Sequence, residues 1–532
     1  MTQPSGTDGA GDGGQADQQA DETAGRDSGA RAETYLRLFA EAELRRELAR
    51  PRAAWARRFL APASGQVERR VGRARLAVGS LRDWLTGTRQ PGSPWEGQDH
   101  VRRVAGVLTA AGVLSGPAAR SVTRSFGWAL AARGLAGDHD ALRSDPVGDR
   151  IPAPAGPVMA AGINAQLDLA ADGYRARTHV LALVLTPDEA IMTTVTWLTG
   201  RPAAGPRAED GQPDRVDWEE HFRDLVYSNK GQATDNRGGT YRLRMGGGGG
   251  SPDGCWEGCL KFTPVPPAGL EWLDITLAPG LDPVRVDLTA AAAAAPTAAR
   301  DGSAARPYAS PADRAERIID SASELLIDLH DPQWKSEADM DGIVVMVGAL
   351  RASGALAPDS PALARLVTVA RRLQPRVPPE LAGPGAARPA DLPEPWLATL
   401  ASYQQRQPAE RAAAAAVAVL PEVDGVRCII TGLITEAGAS SGTTLQLLGW
   451  GWPTATDRPA EVWRPFSCWA RDDAGRWYRG REQGYGSYGQ MNHFEFRLSP
   501  AVHPEATSLE VILTGLSGQV SATIPVMWSR MP

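Results

Sequence analysis

Several short constellations in this sequence combine residue types that can do chemistry. Cys255-x-x-x-Cys259 offers two thiols, but they supply only half of a tetrahedral zinc site, and no second Cys/His pair stands nearby. Asp138-His139-Asp140 brings an imidazole between two carboxylates, yet three consecutive loop residues do not converge on one ion and read as a solvated loop. The glycines from Gly246 to Gly250 could cradle a phosphate. A phosphate loop needs Gly-Lys-Ser/Thr opening a helix, whereas SPDGCW follows here, so a flexible hairpin loop is expected. Asp235 and the pair Asp472-Asp473 lack the D-x-[DN]-x-[DN]-G pattern of a calcium loop and read as turn formers. His493, with Asn492 and Glu495 in an aromatic strand, reads as a strand histidine, and no Ser, His or Cys has neighbours that suggest a triad. These residues predict no catalytic centre, metal site or cofactor.

The densest unusual composition is aromatic and arginine-rich. Between Trp450 and Phe496 lie five Trp and three Tyr, interleaved with Arg464, Arg471, Arg476 and Arg479. Strand alternation puts adjacent Trp477 and Tyr478 on opposite faces, so part of this set fills a core and part meets solvent or another domain. Aromatics beside arginine are what protein-binding patches favour. Trp469, Arg476, Trp477, Tyr485 and Tyr488 are therefore the candidate partner-binding residues.

A second candidate surface is basic. The formal net charge is -6, but from Arg31 to Arg133 nineteen Arg face eight acidic residues. Within that block SLRDWLTGTRQP (Ser80 to Pro91) resembles the end of a recognition helix in the phage-repressor class of helix-turn-helix proteins. The resemblance covers a dozen residues, without the helix and small-residue turn that would precede it. It implies nucleic-acid binding through Arg82 and Arg89. Only three lysines occur in the chain, so the arginine excess also follows from GC-rich coding.

The elements that must position these residues come from pattern. A chain of 532 residues is too long for one core. Its polar first 30 residues predict a disordered tail. Helical periodicity follows from Glu33, then near Val67 to Thr86, Asp99 to Ala111 and Pro117 to Arg133. From Thr178 the period turns to strands, with VLALVL and IMTTVTWL forming a hairpin around TPDEA. Helices are predicted again over Asp313 to Leu329, Glu337 to Ser353, Pro361 to Leu373 and Ala409 to Leu420, then strands from Val426. Landmarks repeat between the halves. D-x-x-G-x-x-Y occurs at Asp235 and at Asp472, and L-x-A-x-G-x-L at Leu108 and at Leu350. The expected fold is thus α+β, a tandem duplication of a helical module followed by an immunoglobulin-like antiparallel β-sandwich. Its parts are a tail (1–30), a basic helical module (31–150), a first sandwich (174–289), an Ala/Pro linker (290–309), a second helical module (310–421) and a second sandwich (424–530). No signal peptide or membrane span is evident, and four cysteines are too few for a disulfide scaffold, so a cytoplasmic location is expected. The functional expectation is a non-enzymatic interaction or scaffold protein binding a protein partner. The alternatives are a nucleic-acid-binding regulator and a hydrolase with a non-local site.

Overall fold

The computed structural model describes residues 13–49, 95–132, 158–171, 174–200, 231–251, 255–289, 310–330, 340–373, 376–382, 390–403, 411–436, 442–451, 466–488 and 491–530. Eight helices lie among them: α1 (Gly13–Ala49), α2 (Trp95–Ala110), α3 (Gly116–Ala132), α4 (Pro311–His330), α5 (Met340–Ala352), α6 (Pro361–Leu373), α7 (Pro379–Ala382) and α8 (Glu394–Ser402). The α1 helix begins inside the stretch expected to be a tail, and Ser28 donates to the Ser353 carbonyl at 3.1 Å. Among the described residues no helix is long and apolar enough to cross a membrane.

Helix ends follow local chemistry. Ser310 and Asp313 form a reciprocal capping box at the start of α4: the Ser310 hydroxyl accepts from the Asp313 N–H at 3.2 Å, and the Asp313 carboxylate accepts from the Ser310 N–H at 3.1 Å. Both L-x-A-x-G-x-L motifs end their helices in one way. Gly112 and Gly354 take left-handed φ values of 71° and 78°, and the next two N–H groups return to Leu108 and to Leu350.

The strands form two antiparallel sheets. The first contains β1 (Met159–Ala171), β2 (Tyr174–Leu185), β3 (Ala190–Gly200), β4 (Gln232–Asp235), β5 (Thr240–Ser251), β6 (Cys255–Thr263), β7 (Trp272–Thr276) and β8 (Val284–Asp287). Their spatial order is β1-β2-β3-β6-β5-β4-β7-β8. The second contains β9 (Ala412–Val419), β10 (Arg427–Glu436), β11 (Gly442–Trp450), β12 (Ser467–Asp472), β13 (Trp477–Tyr488), β14 (Met491–Ser499), β15 (Ser508–Thr514), β16 (Gln519–Pro525) and β17 (Ser529–Arg530). Its order is β9-β10-β11-β14-β13-β12-β15-β16, the same path, with β17 added outside β9. Each sheet curls until its first and last long strands approach, giving two nearly closed barrels, each filled by one inward row of side chains.

The expected architecture is corrected on two counts. Neither β unit is an immunoglobulin-like sandwich, because a sandwich needs two separately hydrogen-bonded sheets and here one continuous ladder bends around each core. Nor do the helices form two modules in tandem. Leu36, Leu108 and Phe126 from the first half share a single core with Ile319, Leu350, Leu366 and Trp396 from the second. What remains of the expectation is the mixed α+β content.

Two local expectations also change. The alanine run read as a helix from Ala409 is strand β9, despite its helix propensity. It lies where the barrels meet, with Ala413 fully buried in the contact, and small side chains let β1 and β2 come close. The glycine run is the end of strand β5, paired with β6, and not a loop. A Cβ on Gly246 would lie 2.6 Å from the Cys259 sulfur, and one on Gly248 2.6 Å from the Glu257 carbonyl oxygen.

The barrels pack back to back. Leu181, Val195 and Trp197 meet Ala413 and Ile434, while Val184, Ile191 and Cys259 meet Ile429, Leu448, Trp450 and Met491. Across this contact the Gln446 amide donates to the Glu257 carboxylate at 2.5 Å.

Candidate interaction surface on the second barrel

The β12–β13 hairpin carries most of the aromatic and arginine residues, and its turn decides which way each points. Asp472 accepts from the N–H groups of Ala474 (3.0 Å) and Arg476 (2.8 Å), and Gly475 takes φ of 80°. The Tyr478 hydroxyl then donates to the same carboxylate at 2.7 Å. The first barrel repeats the arrangement, with Tyr241 donating to Asp235 at 2.5 Å. Tyr241 leads the forces that hold the Asp235 carboxyl below its usual range. Burial pushes the Asp472 carboxyl up, but Tyr478, Arg476 and the turn N–H groups outweigh it and hold it low.

With Tyr478 pointing inward, strand alternation sends Cys468 and Ala470 into the barrel, and Ser467, Trp469, Arg471, Trp477 and Arg479 outward. Helix α4 lies over that outer face. Its carboxylates Glu324 and Asp328, one turn apart, reach Arg479, whose side chain is only 3% exposed. Arg479 donates to Asp328 at 3.0 Å and to the Cys468 carbonyl at 2.8 Å, and its guanidinium stacks 4.8 Å from the Trp469 ring centre. Arg317 pairs with Glu324 at 3.3 Å, and Ser467 bonds to both Arg317 and Glu324. Burial alone would raise the Glu324 pKa. The two guanidiniums and the Ser467 hydroxyl reverse that and hold it below the usual range.

The five partner-binding candidates therefore separate. Trp469 is buried among the helices together with Ile512. Arg476 is held to Asp472 at 2.6 Å, with 37% of its side chain exposed. Trp477 is half-buried against the helical core, its indole N–H is buried and has no partner among the described residues, and exposed Arg471 stands 5.4 Å over its ring. Tyr485 and Tyr488 continue β13 opposite Phe494 and Met491. Arg82 and Arg89 lie outside the described residues, as does Asp138-His139-Asp140. The sequence reading missed the buried carboxylates, although two acids at helical spacing inside the apolar stretch SASELLIDLH were a readable signal.

Other reactive side chains are masked by burial. The four cysteines are free and buried. Cys255 and Cys259 lie four residues apart on one strand, about 13 Å along its length, beyond the reach of a disulfide. Burial pushes the Cys259 and Cys468 thiols up to about 12, against an opposing pull from Lys261 and Arg479 respectively. Burial likewise holds His179 and His493 at about 4, so both are neutral at pH 7. Among the described residues no group of three or more His, Cys, Asp or Glu could hold a metal ion.

No protein-family model and no curated protein matches the chain. Among solved structures, the chain has a distant likeness to the crystal structure of a conserved domain protein from Bacillus anthracis. The two are 7% identical over 70% of this chain and 92% of that one, with a TM-score of 0.13, which carries no argument for fold or function.

Proposed function

We propose that this chain is a non-enzymatic intracellular interaction protein that binds a protein partner through the rim of its second barrel. The observation that carries the reading is Trp477. Its ring is half-buried against the helical core, and exposed Arg471 stands 5.4 Å over it. A Trp ring fixed on one side, partly exposed on the other beneath a guanidinium, has the composition of an interface anchor. Tyr485 and Tyr488 lie further along the same strand.

The test is an affinity pull-down of the full chain with mass spectrometry, comparing wild type with Arg471→Glu and Trp477→Phe. Trp477→Phe trims the ring and keeps an aromatic side chain in place. The reading expects a defined partner lost or strongly depleted in both variants at unchanged melting temperature. An identical recovered set from all three proteins would refute it. A gel shift with mixed duplex DNA at about 50 and 200 mM salt addresses the nucleic-acid reading. Submicromolar binding at low salt, weakened by Arg82→Ala, would put that reading first.

A further inference from the structure

The two barrels carry the same basic strip in the same register. In the second, Arg479 pairs across the ladder with Trp469 and with Ser499, and Arg481 with Arg497. In the first, Arg242 pairs with Gln232 and with Thr263, and Arg244 with Lys261. The D-x-x-G-x-x-Y turn immediately before each strip fixes this correspondence, since Arg242 follows Tyr241 as Arg479 follows Tyr478. On the second barrel the strip is covered: α4 brings Glu324 and Asp328 onto Arg479. On the first, Arg242 and Arg244 are exposed, and among the described residues no carboxylate pairs with either.

The bare strip has a cost that an ordinary solvated face would avoid. Arg244 stands directly opposite Lys261, and like charges facing each other across a ladder repel. Lys261 has Glu189 at 3.2 Å, and nearby Arg285 is matched by Asp274 at 2.6 Å, so among the described residues the unmatched charge belongs to Arg242 and Arg244. The aromatic and aliphatic anchors of the second barrel are missing. Gln232 and Thr276 stand at the ladder positions of Trp469 and Ile512. A contact made here is polar, and therefore reversible and salt-sensitive. A second copy's α1 is a poor occupant, because its outer charges already pair within the helix, Glu33 with Arg37 and Glu41 with Arg45.

We propose that the Arg242–Arg244–Lys261 strip is a docking surface for an acidic helix of a partner protein, one presenting carboxylates a turn apart as α4 presents Glu324 and Asp328. This rests on the reading of the chain as an interaction protein but places a second site on the other barrel. Recognition consists of guanidinium–carboxylate pairing along a strand, with little apolar burial.

Fluorescence anisotropy of the full chain tests it with three labelled probes: an alanine-based helical peptide with glutamates four apart, its glutamine counterpart, and a mixed DNA duplex. The expected result is saturable binding of the glutamate peptide, weakened by salt and reduced about tenfold or more by Arg242→Gln/Arg244→Gln. The glutamine peptide should not bind, and Arg471→Glu should leave the affinity unchanged. Both arginines are exposed, so a melting temperature no lower than that of the wild type checks that the double variant folds. Absence of glutamate-peptide binding overturns the proposal. So does tighter binding of DNA that the double variant abolishes, which would make the strip a phosphate-binding surface. Loss of peptide binding in Arg471→Glu would move the site to the second barrel. If the peptide result fails while the Arg471-dependent pull-down holds, only this proposal falls.

Discussion

Arg479 is a charge placed where water does not reach it, and four neighbours make that tolerable: Asp328, Glu324, the Cys468 carbonyl and the Trp469 ring. A buried pair of this kind adds little net stability, but removing one partner strands the other. Arg479→Met should therefore destabilise the protein by about 3–5 kcal/mol in urea denaturation, and adding Glu324→Gln and Asp328→Leu should recover much of the loss. The sign with pH is definite. Glu324, Asp235 and Asp472 all have folded pKa values below their unfolded ones. Their stabilisation is complete above the ordinary carboxylate range, roughly pH 4, and is lost as pH falls through the lowered values. The urea midpoint should drop on acidification, and Glu324→Gln should flatten that dependence. The turn around Asp472 and Tyr478 was legible in the sequence because its chemistry is local. The destination of Trp469 was not, since strand alternation says which face a ring takes but not what lies over it.

At the scale of elements, the strands depend on where side chains are absent. Gly480 backs onto Cys468 inside the second barrel, and a Cβ there would lie 2.7 Å from the sulfur. Gly480→Ala should cost about 1–3 kcal/mol by thermal melting, whereas Gly518→Ala, which meets nothing within 4 Å, should change little. On the first barrel, Arg244→Glu turns a repulsive cross-strand pair with Lys261 into an attractive one. It should stabilise the protein by up to about 1 kcal/mol in the same assay. Helices α3, α4 and α6 were readable to within a residue or two from proline starts, the capping box and apolar spacing. Strand β9 was not, because eight residues of alanine and valine carry a helical propensity that only its close packing between the barrels overrides.

At the scale of the whole molecule, the helical core is held in common by both halves of the chain. Arg314 at the start of α4 lies over Gly112 at the end of α2, and Arg31 of α1 lies over Gly354 at the end of α5. A fragment of residues 310–532 should therefore keep its barrel but leave one side of the helical core open. It should bind a hydrophobic dye and melt less cooperatively, and mixing with residues 1–309 should restore the sharp transition; a fragment as cooperative as the full chain would show the cores to be independent. Repeated landmarks marked equivalent turns and helix ends, but sequence order suggested separate modules, since nothing local records that helices some 240 residues apart share one interior. That exchange sets a schedule for synthesis. When α1, α2 and α3 leave the ribosome, the surfaces that complete their core do not yet exist. At translation rates of about 5–20 residues per second, Leu36, Leu108 and Phe126 wait on the order of 10 to 60 seconds for Leu350 to emerge. During that interval the nascent chain shows the cell an open apolar face beside a barrel already able to close, and it needs either a chaperone or slow release to reach the finished molecule.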